Sequence, residues 1–265
     1  MKIVTSRDNE RIKQARAVRD GKIRSSIFIE GIRLSEEAVS ANLNVTEVFV
    51  NEKHSDEERI TSLTNVLNEK VVVVSERVFE SLSETKSSQG LILIAERPPY
   101  NHEVLSDVLP PNPLLVILHR TNNPANAGAI VRVAEAAGAN GLIATKGTTY
   151  LFAPKALRGS MGSSFRLPIW SNVSYDEAVA YCKNRGITTV CADAKSEIPF
   201  TEFDWNRPTA LIMGEEGSGL TTEEIERADV SVKIPMQTPV ESLNVSVAAG
   251  ILLYEAAKQR TKVKP

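Results

Sequence analysis

Along most of its length the chain alternates short β-branched apolar runs with segments of helical period. That alternation argues for α/β architecture with a largely parallel sheet. In the first part the strand candidates are 27–30, 46–50, 71–74 and 91–95, with helices expected at 33–41 and 56–67 and a basic amphipathic helix at 8–19. The pattern then stops. Residues 96–113, ERPPYNHEVLSDVLPPNP, hold five prolines, which break helices and remove sheet donors. A linker is therefore expected at 98–113, between one domain over 1–97 and another over 114–265. Beyond it the alternation resumes with strand 114–118, a helix from 124, strand 141–145 and a Gly/Ser-rich stretch. A helix at 175–184 follows, then strands 187–192 and 209–213, a short helix from 221, strand 230–234 and a final helix over 245–260. A chain of 265 residues is long enough for two compact domains.

Several classes of protein fall away on composition. No apolar run approaches the roughly 18 residues that cross a bilayer, and the charged start MKIVTSRDNERIKQARAVRD lacks the apolar core of a secretory signal. The expectation is a cytoplasmic protein with no membrane partner. Cys182 and Cys191 form no CxxC pair, and His54, His102 and His119 are scattered, so no metal site is expected. Net charge is −2, but its distribution is uneven. Residues 1–33 carry nine Lys/Arg against four Asp/Glu, and residues 34–97 six against twelve. Residues 114–170 carry Arg120, Arg132, Lys146, Lys155, Arg158 and Arg166 against the single acid Glu135. Two basic regions are compatible with a nucleic-acid footprint, and equally with ordinary solvated charge. In the first of them the helix bearing Arg11, Lys13, Arg16 and Arg19 is the candidate for following RNA phosphates.

Three segments carry candidate chemistry. NNPANAGAIVRVAEAAGANG, 122–141, follows a buried-looking strand and opens a helix. Asn123 suits its cap and Pro124 its first position, while Arg132 must emerge or find a partner. ALIMGEEGSGL, 210–220, runs from a strand into a loop with glycines at 214, 217 and 219, which allow positive φ and close approach of a ligand. The spacing is neither GxGxxG nor a phosphate-cradling loop. Glu215 and Glu216 there either bind polar ligand groups or are solvated. IPMQTPVESLNVSVAAG, 234–250, passes from a strand through a proline-containing loop into a helix of small residues that Ser242 or Asn244 could cap. Each segment alone is ambiguous. Three strand-to-loop segments in one domain point to a ligand site at the carboxyl ends of strands.

In this order and near the C-terminus, the three segments resemble the signature motifs of the SpoU (TrmH-like) family of SPOUT RNA methyltransferases, over about residues 114–260. SMGSSFRLPIW resembles that family's Ser/Gly-rich approach to the next strand. More loosely, FIEGIRLSEEAV and SSQGLILIA make residues 1–97 resemble a small α/β RNA-binding domain, similar to kink-turn-binding ribosomal proteins. The resemblance implies a C-terminal SPOUT domain folded as a deep trefoil (α/β) knot, a homodimer, and S-adenosylmethionine as cofactor. Asn126 and Arg132 fall on the first motif's asparagine and arginine, Glu216 on the second motif's glutamate, and Ser242 and Asn244 on the third motif's serine and asparagine. The cofactor loops map to Ala192, Asp193, Met213, Gly214, Ile234, Pro235, Met236 and Leu243.

The expected reaction is methyl transfer to a ribose 2′-hydroxyl of structured RNA, ribosomal rather than transfer RNA by analogy with the added N-terminal domain. The first-motif arginine is the family's candidate for handling the hydroxyl proton. Because a guanidinium stays charged, Arg132 is alternatively a residue that positions ribose and phosphate. 2′-O-methylation of transfer RNA, base methylation and a catalytically silent RNA-binding assembly factor are the competing readings. An NAD enzyme lacks the strand-end acid it needs, and a hydrolase lacks GxSxG.

Overall fold

The computed structural model describes residues 3–67 and 70–262, so Lys2 of the basic start lies outside the described residues. The chain divides into two compact units: residues up to Pro98 together with Phe152–Arg166, and Pro99–Leu151 together with Leu167–Pro265.

The first unit begins with α1 (Glu10–Arg19), β1 (Ser26–Glu30), α2 (Ile32–Ser40) and β2 (Val45–Asn51). A 3-10 turn at Glu52–His54 leads to α3 (Glu58–Val66), β3 (Val71–Val74), α4 (Glu76–Leu82) and β4 (Leu91–Glu96). The sheet order is β1-β4-β2-β3. Here the expected largely parallel sheet needs correcting. β4 runs antiparallel to both β1 and β2, and only β2 with β3 is parallel among the paired strands described. Alternation of strand and helix reports element types but not the direction in which a connection returns, and β4 returns through the middle of the sheet. Buried Ile12, Ala15 and Val18 recur every third residue of α1 and join Phe28, Phe49, Phe79 and Ile92 in one core.

The second unit follows with α5 (His102–Ser106), β5 (Leu114–Leu118), α6 (Pro124–Ala136) and β6 (Gly141–Thr145). The helices α7 (Pro154–Ser160) and α8 (Ser163–Arg166) lie in the first unit. The chain then resumes the second unit with β7 (Ile169–Val173), α9 (Tyr175–Asn184), β8 (Thr188–Ala192), β9 (Thr209–Met213), α10 (Thr222–Arg227), β10 (Val230–Val232) and α11 (Val245–Lys262). Its sheet, in the order β10-β8-β9-β5-β6-β7, pairs in parallel throughout. β5, β6 and β9 are buried at every residue, as parallel strands covered on both faces require. Leu105 of α5 is buried in the same core as Leu115, Ile143 and Ile212, so part of the proline-rich stretch packs rather than merely connecting.

Helix ends follow their local chemistry. The Asn123 side chain accepts from Ala125 N–H with Pro124 in the first turn of α6, and Ser174–Glu177 and Thr221–Glu224 form capping boxes on α9 and α10. The apolar face of α11 divides: Ala249, Leu252, Leu253 and Ala256 are buried, while Val247 is 50% exposed. The helix packs on α6, where an added Cβ on Gly250 would meet Val133 at an ordinary 3.7 Å.

Candidate functional site

β5, β8, β9 and β10 end on the same side of the parallel sheet, and the loops beyond them enclose a cavity of about 540 Å3. That volume suits a ligand of cofactor size. Asn126, Glu216, Ser242 and Asn244 line it, as do Ala192, Asp193, Met213, Gly214, Ile234, Met236 and Leu243. The three segments separated in sequence thus meet in one place. Two of the expected residues do not line it. Pro235 is exposed, between two neighbours that face inward. Arg132 is exposed on α6, six residues beyond Asn126 and so about 240° further round the helix.

The polar side of the cavity is a chain of hydrogen bonds. Asn244 Nδ2 donates to Asn126 Oδ1 at 3.3 Å, and Asn126 Nδ2 donates to Glu216 Oε1 at 2.9 Å. Asn244 Oδ1 accepts from the Ser246 amide at 3.0 Å and its hydroxyl at 2.6 Å, so it also caps α11. Capping and site-lining prove compatible at Asn244 and again at Asn123, which lines the cavity too.

The loop after β9 is closed by its own backbone. Gly219 N–H donates to Glu215 carbonyl at 2.9 Å, and Ser218 Oγ donates to Glu215 Oε2 at 2.9 Å. A Cβ on Gly214 would lie 2.8 Å from the Gly219 carbonyl carbon and 2.9 Å from the Leu220 nitrogen, so a side chain is excluded there. Asp193 N–H donates to the Val232 carbonyl at 2.9 Å, which ties the β8 end to the end of β10.

The charge of the lining is one-sided. Asp193, Glu215, Glu216 and Glu241 contribute carboxylates, and no lysine or arginine is among the described lining residues. Such a cavity repels a dinucleotide or a phosphate and favours a ligand carrying positive charge. Met213, Ile234, Met236 and Leu243 supply apolar walls. S-adenosylmethionine, whose sulfonium and ammonium outweigh its single carboxylate and whose adenine is flat and apolar-faced, fits this lining. Glu241 and Leu220 were not singled out in sequence, since a lone acid and a lone leucine in loops carry no local signal.

Outside the cavity, burial pushes the Cys182 thiol up to about 12 and the Cys191 thiol up to about 11, which removes both as nucleophiles near neutral pH. No group of three or more His, Cys, Asp or Glu that could hold a metal occurs among the described residues.

In the first unit the four basic residues of α1 are partly committed. Arg16 Nη2 donates to the Arg7 carbonyl, and Arg19 Nη1 donates to the Ser81 and Leu82 carbonyls, fastening α1 to the end of α4. Arg11 pairs with Glu47 at 2.8 Å and Lys13 with Glu10 at 2.9 Å, with side chains about half exposed. In the 114–170 stretch Arg158 meets Glu84 at 3.2 Å and Arg166 meets Glu37 at 2.6 Å. Arg132, Lys146 and Lys155 stay exposed.

Parallel strands with an acid-lined cavity at their carboxyl ends define an α/β small-molecule-binding domain, joined in one chain to a second, mixed-sheet unit. The family model described as SpoU rRNA Methylase family matches residues 113–254, more than half of the chain, and the chain belongs to that family. A second model, MRM3-like substrate binding domain, matches residues 9–93. The 23S rRNA (guanosine(2553)-2'-O)-methyltransferase RlmP of Bacillus subtilis (strain 168) is 29% identical over 257 residues, covering 96% of this chain and 98% of that protein. A solved RNA 2'-O ribose methyltransferase is 32% identical with a TM-score of 0.84, covering 98% of this chain and 100% of the other. An AdoMet-bound rRNA methyltransferase from Sinorhizobium meliloti is 28% identical with a TM-score of 0.84, covering 100% of this chain and 99% of the other.

Proposed function

We propose that the protein transfers a methyl group from S-adenosylmethionine to a ribose 2′-hydroxyl of ribosomal RNA. The observation that carries this reading is the cavity: carboxylate-lined, apolar-walled and built from the three motif segments of a SpoU-family domain. The relatives named as rRNA 2'-O-methyltransferases, one of them AdoMet-bound, support it.

When bound, the cofactor supplies an activated methyl on a sulfonium. The chain's residues do the rest. Glu216, held by Asn126, and Asp193 present negative charge to the cationic ligand. Met213, Ile234, Met236 and Leu243 would supply apolar walls for its adenine, and the backbone of Gly214–Leu220 would border it. Ser242 and Asn244 stand at the cavity's open loop, where the ribose approaches. Arg132, exposed on α6 outside the lining, is assigned to the ribose and its adjoining phosphate rather than to the cofactor, with alignment of the hydroxyl as its task. With the guanidinium charged throughout, the proton leaves to water.

The active species in this reading is a homodimer in the cytoplasm, and residues 114–260 follow a trefoil-knotted path. The knot is what the family resemblance implies, and an electron-density trace of residues 190–260 tests it. No described helix is long and apolar enough to cross a membrane. The first unit, in its likeness to kink-turn-binding proteins, grips a folded RNA element by shape. Arg11 and Lys13 face its phosphates, with Arg16 and Arg19 holding their helix in place. Replacing Arg11 and Lys13 with glutamine should therefore flatten the salt dependence of RNA binding by about two contacts' worth of slope. An unchanged slope would remove α1 from the RNA footprint.

The deciding experiment is a methyl-transfer assay on ribosomal RNA with labelled S-adenosylmethionine, the modified nucleotide being mapped by mass spectrometry. Transfer to a ribose that persists with a chelator present, by a species sedimenting at twice 29.0 kDa, is expected. Methylation of a base, dependence on a divalent ion, or no transfer to any RNA would each overturn the assignment.

A further inference from the structure

Arg120 sits just beyond β5 in a conformation that arginine rarely adopts. Its φ is 53°, in the left-handed region that favours glycine. Room is made for it: a Cβ on Gly147 would come within 3.1 Å of Arg120 Cγ. A strained backbone and a glycine neighbour both serve to bring one guanidinium to one spot.

That spot lies behind the cofactor-facing loop. Arg120 Nη2 donates to Glu224 Oε2 at 3.0 Å, and Arg120 Nε lies 4.0 Å from Glu215 Oε2. The Nε atom is buried and has no hydrogen-bond partner, so Glu215 is the carboxylate to which its charge is directed. Glu224 is itself immobilised. It accepts from the Thr221 amide at 2.8 Å, its carbonyl accepts from Tyr175 Oη at 2.7 Å, and its Oε1 lies 2.9 Å from His119 Nε2. His119 in turn contacts Thr145 Oγ1 at 2.9 Å through Nδ1. Burial holds the His119 imidazole below its ordinary basicity, which leaves Arg120 as the cation that faces both glutamates. The anchor is rigid on one side and the loop hangs from the other.

We propose that Arg120 is a positioning residue for the cofactor. With its charge facing Glu215 it fixes the Gly214–Leu220 loop, so that Glu216 and Asp193 are held where they face the ligand's positive charge. This rests on the reading of the cavity as the S-adenosylmethionine site. It follows that Arg120 sets how tightly the cofactor is held, not how fast the bound methyl is transferred.

The test is Arg120→Gly, which removes the side chain while relieving the left-handed backbone, so folding is not at risk. Calorimetry with S-adenosylmethionine should show its Kd rising about threefold to fivefold, the scale of one partly exposed ion pair. Turnover at saturating cofactor should fall by much less. Arg120→Lys, which keeps the charge but not the fork, should fall between the two. In the cofactor-free protein, amide exchange at 214–220 should quicken in Arg120→Gly. The effects of Arg120→Gly and Glu215→Gln on Kd should be less than additive if the pair acts as a unit. Wild-type affinity and wild-type exchange in Arg120→Gly would overturn the proposal, as would full additivity. Should the unaltered protein fail to bind S-adenosylmethionine, the reading of the cavity falls instead, and the exchange rates still decide whether Arg120 holds the loop.

Discussion

Gly214→Ala should cost S-adenosylmethionine affinity about tenfold to a hundredfold, by the usual penalty of an added methyl in a filled space. The added Cβ would meet the backbone of Gly219 and Leu220 at 2.8 and 2.9 Å. No flexible side-chain tip is there to swing aside, so the backbone must move. The part that can move is the loop itself, since its other side borders the cavity. Strain is thus relieved by displacing the proposed cofactor wall, and affinity is expected to fall more than melting temperature does. Gly250→Ala is the control. Its Cβ would meet nothing nearer than Val133 Cγ2 at 3.7 Å, inside a helix, where alanine is preferred to glycine by about 1 kcal/mol. Calorimetry and thermal melts on both variants check the contrast. Equal affinities in Gly214→Ala and the unaltered chain would mean that the cofactor does not use this wall.

How much of this was legible in the sequence depended on whether the signal was local. Fully buried strands such as LLVIL and TALIM announce themselves as continuous apolar runs, and their predicted bounds, 114–118 and 209–213, coincide with the observed ones. The cap at Asn123 and the start of α9 at Tyr175 are equally local. Elements that depend on distant partners were missed. β7, IWSNV, is a half-exposed edge strand with Asn172 at positive φ, and its only apolar anchors are Ile169 and Val173 at its ends and Trp170. α4, α5, α7 and α8 are at most seven residues long, too short for helical periodicity to declare itself. The direction of β4 is likewise a property of the connection and not of LILIA. Eleven of the proposed catalytic and cofactor-contacting residues face one cavity, because the motif resemblance carried spatial information that periodicity lacks. What periodicity could not weigh was the sharing of Glu215 and Glu224 by Arg120, a residue that read as plain basic charge.

The electrostatics of the second unit separate two tasks. The cavity is acidic on the described residues that line it, which suits a cationic cofactor, whereas RNA is a polyanion and is repelled by such a lining. Positive charge for the RNA must therefore be presented outside the cavity, and Arg132 and Lys146 are exposed in this unit to do so. Binding of one substrate is then sensitive to salt and the other much less so.

On that separation rests the expectation for Arg132→Ala: methyl transfer falls by about a hundredfold or more, the scale of an interaction made in the transition state, while cofactor affinity is unchanged. Arg132 is exposed on α6 and absent from the cavity lining, so its removal leaves the cofactor's walls and the Glu216–Asn126–Asn244 chain in place. Its neighbours Val131 and Ala134 stay buried in the core, so the fold is not at stake. What is lost, on the proposed reading, is the fork that would hold ribose and phosphate in line with the methyl, and misalignment acts on turnover. Arg132→Lys separates charge from shape: a lysine still attracts phosphate but cannot clamp it with two parallel bonds, and should recover RNA affinity more than turnover. Single-turnover methylation at saturating cofactor, beside calorimetric Kd values for the same variants, distinguishes the outcomes. Near-normal turnover in Arg132→Ala would remove this arginine from the reaction, and a matching loss of cofactor affinity would place it in the cavity after all.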